Sequence, residues 1–394
     1  YNEGSITFKS TLKNDENTSK VTFVFRDSSS KYEYDNWDQT DNHDFSKTNI
    51  QSGLVTFEFQ TGSQTKHIIN YNPTRVNRKT AGSYVSDQSS KQQKVEYKIQ
   101  TKINKDDFFG FGIEYNNTKY KASNVREKRE SDAQYVYSQI KPTKNSLVDV
   151  SLRTDHDQIY GSHDSHRVQL GYNLFNNLKL KTSFGTGYRP PSLYESNNLA
   201  SGINKLEPEI TTNKELGFDY NDYKSDLTVS SSIFESEIDN EIEYSGGGYR
   251  QGSGFTEISG YEVSVNKYNF IENLDLYVSY TKTDSDKSNG NKGALVPMHK
   301  FSGLFDYKIS DNINNQLEYI YQERAYDTSS NELPSFSLVN YNFNYKINNN
   351  FKSNLKISNI LDQDYEVNRN YNTPGISFFG GIESEFWWVI NIII

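Results

Sequence analysis

From Leu178 to Gly185 the chain alternates. Leu178, Leu180, Thr182 and Phe184 fall on one side, and Lys179, Lys181, Ser183 and Gly185 on the other. A period of two is that of a β-strand with one greasy and one wet face. The pattern recurs at Val148, Val150 and Leu152 against Asp149, Ser151 and Arg153. It recurs again at Tyr261, Val263 and Val265 against Glu262, Ser264 and Asn266, and at Leu274, Leu276, Val278 and Tyr280 against Asp275, Tyr277 and Ser279. Counting such segments of about 9 to 15 residues gives roughly 19 candidate strands and no convincing amphipathic helix.

The connections alternate as well. Short ones (Phe175 to Leu178, Tyr268 to Leu274, Ser310 to Ile313, Asn348 to Phe351) take turns with long polar ones (Asp35 to Ser52, Asp284 to Met298, Arg324 to Leu333). A soluble sandwich would turn its wet faces to solvent, whereas an outer-membrane barrel would turn them to a lumen, and short turns on one rim with long loops on the other are the barrel arrangement. The strand that begins at Leu178 must leave its ladder by Arg189, because Pro190 and Pro191 remove two backbone donors and fix two φ angles. The expected result is a strand reaching the outer rim and a rigid turn into a surface loop. Arg189 is then placed to meet an acidic loop residue or lipid head groups.

Composition supports a single-layered wall. A soluble chain of 394 residues would usually form two or three domains, yet no linker or composition shift appears and there are only 8 Pro. Hydrophobic residues make up 34% and aromatics 14%, with 30 Tyr and 23 Phe. That is thin for double-sided cores but suits a barrel, which needs apolar residues only on the lipid face and aromatics at the two interfaces. The net charge of -9 argues against a nucleic-acid-binding face. Cysteine is absent, which removes disulfides and thiolate chemistry. The chain begins at Tyr1 with neither methionine nor an apolar leader, and so reads as a fragment or a processed chain.

Candidate chemistry is sparse. No G-x-S-x-G, P-loop or cysteine nucleophile occurs, so an enzyme is not expected. Asp155, His156, Asp157, His163, Asp164 and His166 crowd together but follow no zinc spacing, and a polar hairpin tip is the plainer reading. Asp35, Asp38, Asp41 and Asp44, with Glu33, are hard oxygen donors of the kind calcium takes, without the EF-hand spacing; a solvated acidic loop is the alternative. Trp37, Tyr194, Tyr249 and Tyr326 lie in loops, where aromatic rings either stack on a large ligand or belong to the interface girdle.

Several stretches carry a family likeness in order. Ser183-Phe-Gly-Thr-Gly-Tyr-Arg-Pro-Pro-Ser-Leu-Tyr-Glu195 is followed by Leu206-Glu207-Pro208-Glu209, Lys214-Glu215-Leu216-Gly217-Phe218 and Ile258-Ser259-Gly260-Tyr261-Glu262. Then come Asn359-Ile360-Leu361-Asp362-Gln363-Asp364-Tyr365, Tyr371-Asn372-Thr373-Pro374-Gly375 and Phe378-Phe379-Gly380-Gly381. The set resembles the TonB-dependent outer-membrane receptors, strongly over Asp149 to Phe386 and by pattern alone before that. The hairpin Arg153 to His163 and the Tyr371–Gly375 stretch resemble the cobalamin receptors within that family.

The resemblance implies an all-β, antiparallel up-and-down transmembrane β-barrel of 22 strands around a plug. With about 19 strands in hand, the plug and the first strands are expected to be missing, residues 1–386 to be barrel, and residues 387–394 an atypical apolar tail beyond Phe386. It further implies outer-membrane uptake of a large scarce nutrient. Cobalamin comes first, with an iron-siderophore or haem receptor, or a passive porin-like barrel, as alternatives. The implied partners are the TonB complex, outer-membrane lipid and the barrel-assembly machinery. The implied cofactor is none beyond calcium in the outer loops, and the aromatic loop residues would meet a corrin ring.

Overall fold

A computed structural model describes residues 2–16, 18–34, 43–82, 85–327, 330–371 and 373–384. Residues 387–394 therefore lie outside it. Nineteen strands make up one sheet, matching the roughly 19 expected, and four short ones form two separate hairpins. The chain divides into two units: Tyr1–Gly171, Ser183–Asn213 and Ile238–Phe255, and Tyr172–Thr182, Lys214–Glu237 and Thr256–Ile394.

In the first unit eight strands, from Asn2–Lys13 to Ser146–Asp157, pair antiparallel with their chain neighbours. They run 12 to 17 residues, longer than the roughly 9 to 11 that cross a bilayer, so their ends project beyond it. In the second unit the strand Phe255–Ile271, from Thr256 onward, forms a meander with Leu274–Lys287, His299–Ser310 and Ile313–Gln322. It continues through Phe336–Lys346, Phe351–Ser358 and Ser377–Ser384.

The alternation in sequence becomes two chemically distinct faces. Tyr71, Val95, Ile113 and Tyr115 share one face through the pairs Tyr71↔Val95, Val95↔Tyr115 and Tyr97↔Ile113, and they remain exposed, Ile113 at 46%. The opposite face is polar and cross-linked. Tyr135 donates to Glu96 Oε1 at 2.6 Å and Asn70 donates to Oε2 at 2.9 Å. Lys94 pairs with Glu114 at 2.8 Å, and Arg153 grips Asp155 through two nitrogens. A stripe of exposed Ile, Val, Phe and Tyr is untenable in water but is what acyl chains cover.

Buried apolar side chains are few. Leu193, Ala200, Leu206, Ala325, Leu333 and Phe336 lie in or beside the long connections rather than in a central core. Glycines on the polar face let rings lie flat on the backbone. An ideal Cβ on Gly112 would stand 2.2 Å from the Tyr135 ring, its cross-strand partner.

Some expected boundaries shift. Phe45 to Ser52, placed in a loop by sequence, belongs to the strand Phe45–Thr61, where Phe45 pairs with Glu33. Its residues alternate too weakly in polarity to announce a strand. Likewise the strand Leu274–Lys287 runs past Asp284, and the connection after Arg324 contains the hairpin Ala325–Tyr326 with Glu332–Leu333.

Candidate functional site

The strand Leu178–Arg189 stops at the double proline, and the chain from there to Glu209 is folded tightly. Pro191 is among the most buried side chains, and its carbonyl accepts from the Arg129 guanidinium. Arg129 Nε also faces Asp157 at 3.4 Å. Asp157 in turn accepts from the amides of Ile159 and Tyr160 and closes a hairpin tip. The expected polar tip is thus present. Neighbouring strand residues point to opposite faces, so Asp155 goes to Arg153 while His156 meets Ser162 at 3.0 Å. Among the described residues no group of three or more His, Asp and Glu is placed to hold a metal.

Ser192 then starts the helix Leu193–Asn197 with a complete capping box. Its hydroxyl accepts from the Glu195 amide, and Glu195 accepts from the Ser192 amide. The signature Ser-x-x-Glu was visible in the sequence, but a five-residue helix gives no periodicity to find. Arg189 holds both sides of this connection, with Nη1 3.2 Å from Glu195 and Nε bonded to Glu209. The acidic partner expected for Arg189 is therefore two carboxylates. Burial alone would raise the Glu209 carboxyl, but the Arg189 hydrogen bond, the Ile242 amide and the Arg189 charge outweigh it and hold the group below its ordinary value. The bond to Glu209 likewise raises the Arg189 guanidinium.

The connection after Asp239 supplies the second half of the site. Ile242–Ser245 and Gly248–Gln251 form a hairpin whose turn residues Gly246 and Gly247 adopt φ of 66° and 80°, a left-handed pair suited to glycine. The hairpin docks on the first connection. The Tyr249 amide donates to Asn198 O at 2.7 Å, and the Ala200 amide donates to Tyr249 O at 2.9 Å. Gly248 permits this approach, since a Cβ there would lie 2.4 Å from the Ala200 nitrogen.

Tyrosines gather where the two connections meet. Tyr194 stands edge-on to Tyr120 at 6.3 Å and to Tyr249 at 5.8 Å, and Tyr249 stands edge-on to Tyr244 at 5.2 Å. Tyr120 is buried and Tyr244 is 62% exposed, so the row runs from the wall outward. Burial pushes the Tyr249 phenol up, with Tyr194, Glu195 and Tyr244 adding to the effect. Such a cluster offers ring faces, ring edges and hydroxyls to a bulky ligand. Of the four aromatic residues singled out by sequence, Tyr194 and Tyr249 come together. Tyr326 sits in the second unit in the hairpin with Glu332, and Trp37 lies outside the described residues. Tyr120 and Tyr244 were not foreseen, although the Gly-rich run between Tyr244 and Tyr249 marked a hairpin turn. Of the four aspartates, Asp44 is buried at the foot of the loop, 4% exposed, while Asp35, Asp38 and Asp41 lie outside the described residues.

Long antiparallel strands with a polar face, an exposed apolar face and a folded outer rim define an outer-membrane β-barrel protein. A family model described as TonB dependent receptor-like, beta-barrel, matches residues 2–360, and the chain belongs to that family. It is 27% identical over 250 residues to the vitamin B12 transporter BtuB of Vibrio cholerae, a match covering 61% of this chain and 40% of that protein. It is 21% identical over 334 residues to a probable TonB-dependent siderophore receptor, PirA, of Acinetobacter baumannii, covering 67% and 44%. Among solved structures, the ferric-catecholate import receptor Fiu of Escherichia coli superimposes with a TM-score of 0.79 at 14% identity, over 98% of this chain and 75% of that one. The chain thus spans about two fifths of the length of the curated relatives it matches.

Proposed function

We propose that the protein takes up a large, scarce nutrient across the outer membrane. This chain supplies the wall and part of the outer capture surface, and the TonB complex supplies the work. Cobalamin is the substrate we favour. The observation that carries the reading is the docked tyrosine row, Tyr120, Tyr194, Tyr249 and Tyr244, held at the rim by Arg189 and Gly248. Its ring faces suit the broad apolar rim of a corrin, and the B12 transporters among the relatives support that choice. A second reading, a ferric siderophore, is favoured by the resemblance to PirA and Fiu.

Titration of the chain in outer-membrane vesicles with cyanocobalamin and, separately, with a ferric catecholate distinguishes them. Cobalamin binding that weakens by about 1 to 3 kcal/mol in Tyr249→Ala supports the proposal. Binding of the ferric catecholate alone would overturn the substrate, and binding of neither would overturn the capture role of this rim.

A further inference from the structure

A second feature of the first unit is unrelated to the tyrosine row. Arg75, Lys91, Lys119 and Lys128 are successive cross-strand partners, Arg75↔Lys91, Lys91↔Lys119 and Lys119↔Lys128. The next rung of that face toward the rim carries Asn77, Ser89, Lys121 and Arg126 in the same way. Like charges directly opposite one another repel and destabilise a sheet, so four in a row is a costly pattern. It is also a local one, since the chain as a whole carries -9. These cations border an open pocket of about 850 Å³, to which Asp87 and Glu127 are the only acidic contributors among the described residues. Lys128 pairs with Glu130. Lys91, Lys119, Lys121 and Arg126 have no carboxylate within ion-pair distance among the described residues.

The face is the apolar one. Arg75 lies on the side of Tyr71, and Lys91 and Lys119 on the sides of Val95 and Tyr115, four residues farther toward the rim. At about 3.4 Å per residue that is about 14 Å along the strand, or about 10 Å along the bilayer normal for a strand tilted by about 45°, beyond the paired residues Tyr71, Val95 and Tyr115 of the exposed apolar band, the depth of head groups rather than acyl chains. A second pocket of about 440 Å³ shares Arg75, Lys91 and Lys119 and continues to Phe25, Gly53 and Pro73. Gly53 has no side chain, and an ideal Cβ there would lie 3.2 Å from the Pro73 ring, so Phe25, Gly53 and Pro73 leave a shallow apolar trough under the cations, flanked by the polar side chains of Gln51, Gln93 and Asn117.

We propose that this patch binds a phosphorylated lipid of the outer leaflet, its phosphates on Arg75, Lys91, Lys119 and Lys128 and an acyl chain in the trough at Phe25 and Pro73. Charge complementarity supplies the head-group contact, and the continuous trough selects an amphiphile over a free anion. The assignment depends on the outer-membrane placement and not on which nutrient is carried.

The test compares the thermal midpoint of the chain in neutral detergent, in phosphatidylcholine vesicles, in phosphatidylcholine vesicles containing phosphatidic acid, and in phosphatidylcholine with inorganic phosphate. Phosphatidic acid is expected to raise the midpoint above all the others, and high salt to reduce the gain. The double variant Lys91→Gln, Lys119→Gln should melt no lower than the parent in neutral detergent, because repulsion is relieved. It should nevertheless bind phosphatidic acid roughly 30-fold more weakly, about fivefold per cation. Equal stabilisation by inorganic phosphate would overturn a lipid site in favour of a free-anion site. No difference between phosphatidic acid and phosphatidylcholine in the parent chain would overturn the proposal without recourse to any variant.

Discussion

At the scale of single residues, the rim depends on how one guanidinium is used. Arg189 reaches Glu195 through one nitrogen and Glu209 through another, a division that the single ammonium of lysine cannot copy. The arginine is half exposed while both carboxylates are largely covered, so the pair is worth only about 1 kcal/mol to the loop. Its pH dependence has a definite sign. The folded Glu209 carboxyl titrates below its ordinary value of 4.5. Its contribution is therefore complete above that value and disappears as pH falls through the lowered one. Hydrogen-exchange protection of residues 190–208, corrected for the intrinsic pH dependence of amide exchange, should hold from neutral pH down to the ordinary carboxyl value of 4.5 and fall as pH drops through the lowered one. In Arg189→Lys the same residues should exchange several-fold faster at neutral pH, with the rest of the wall unchanged. The arginine's destination was half legible in the sequence: the double proline marked the strand end, but the choice between carboxylates and lipid needed the fold of the loop.

At the scale of elements, the two connections that make the site are built differently from the wall. Wall strands owe their legibility to alternation, which both faces enforce, because a slip of one residue would carry charges to the acyl side. The helix Leu193–Asn197 and the hairpin around Gly246 and Gly247 have no such pattern, and the sequence offered only a capping box and a glycine run. Tyr194 and Tyr249 could be named as loop aromatics, but their meeting, and the part played by Tyr120 and Tyr244, depends on docking through Asn198, Ala200 and Gly248. Gly248→Ala places a methyl group against the Leu199–Ala200 peptide, where no side chain can give way. It should undo the two backbone bonds of Tyr249 and weaken ligand binding about as much as Tyr249→Ala, by about 1 to 3 kcal/mol. The melting temperature of the wall should stay as it is, and binding titrations beside a thermal scan would show both.

For the whole molecule, every ladder described in each unit joins strands adjacent along the chain or separated only by a small hairpin. The division of labour between faces made the class readable from polarity alone. Outward cations such as Lys91 and Lys119 were not readable, because a charged residue looks the same in sequence whether it lines a lumen or meets a head group. An alanine inserted between Glu96 and Tyr97 should turn Lys98 toward lipid or tear Glu96 from Tyr135 and Asn70. A lysine near the bilayer midplane costs about 2 to 4 kcal/mol, and the inserted chain should lose the compact electrophoretic form of a folded barrel. The same insertion between Asn289 and Gly290, in the connection 288–298, should leave that form intact. A wall assembled hairpin by hairpin therefore separates what must be inherited unchanged from what can be exchanged. The outer connections 190–208 and 240–254 carry no such constraint from register, so under the proposed uptake role a change of diet would fall on them and leave the container as it is.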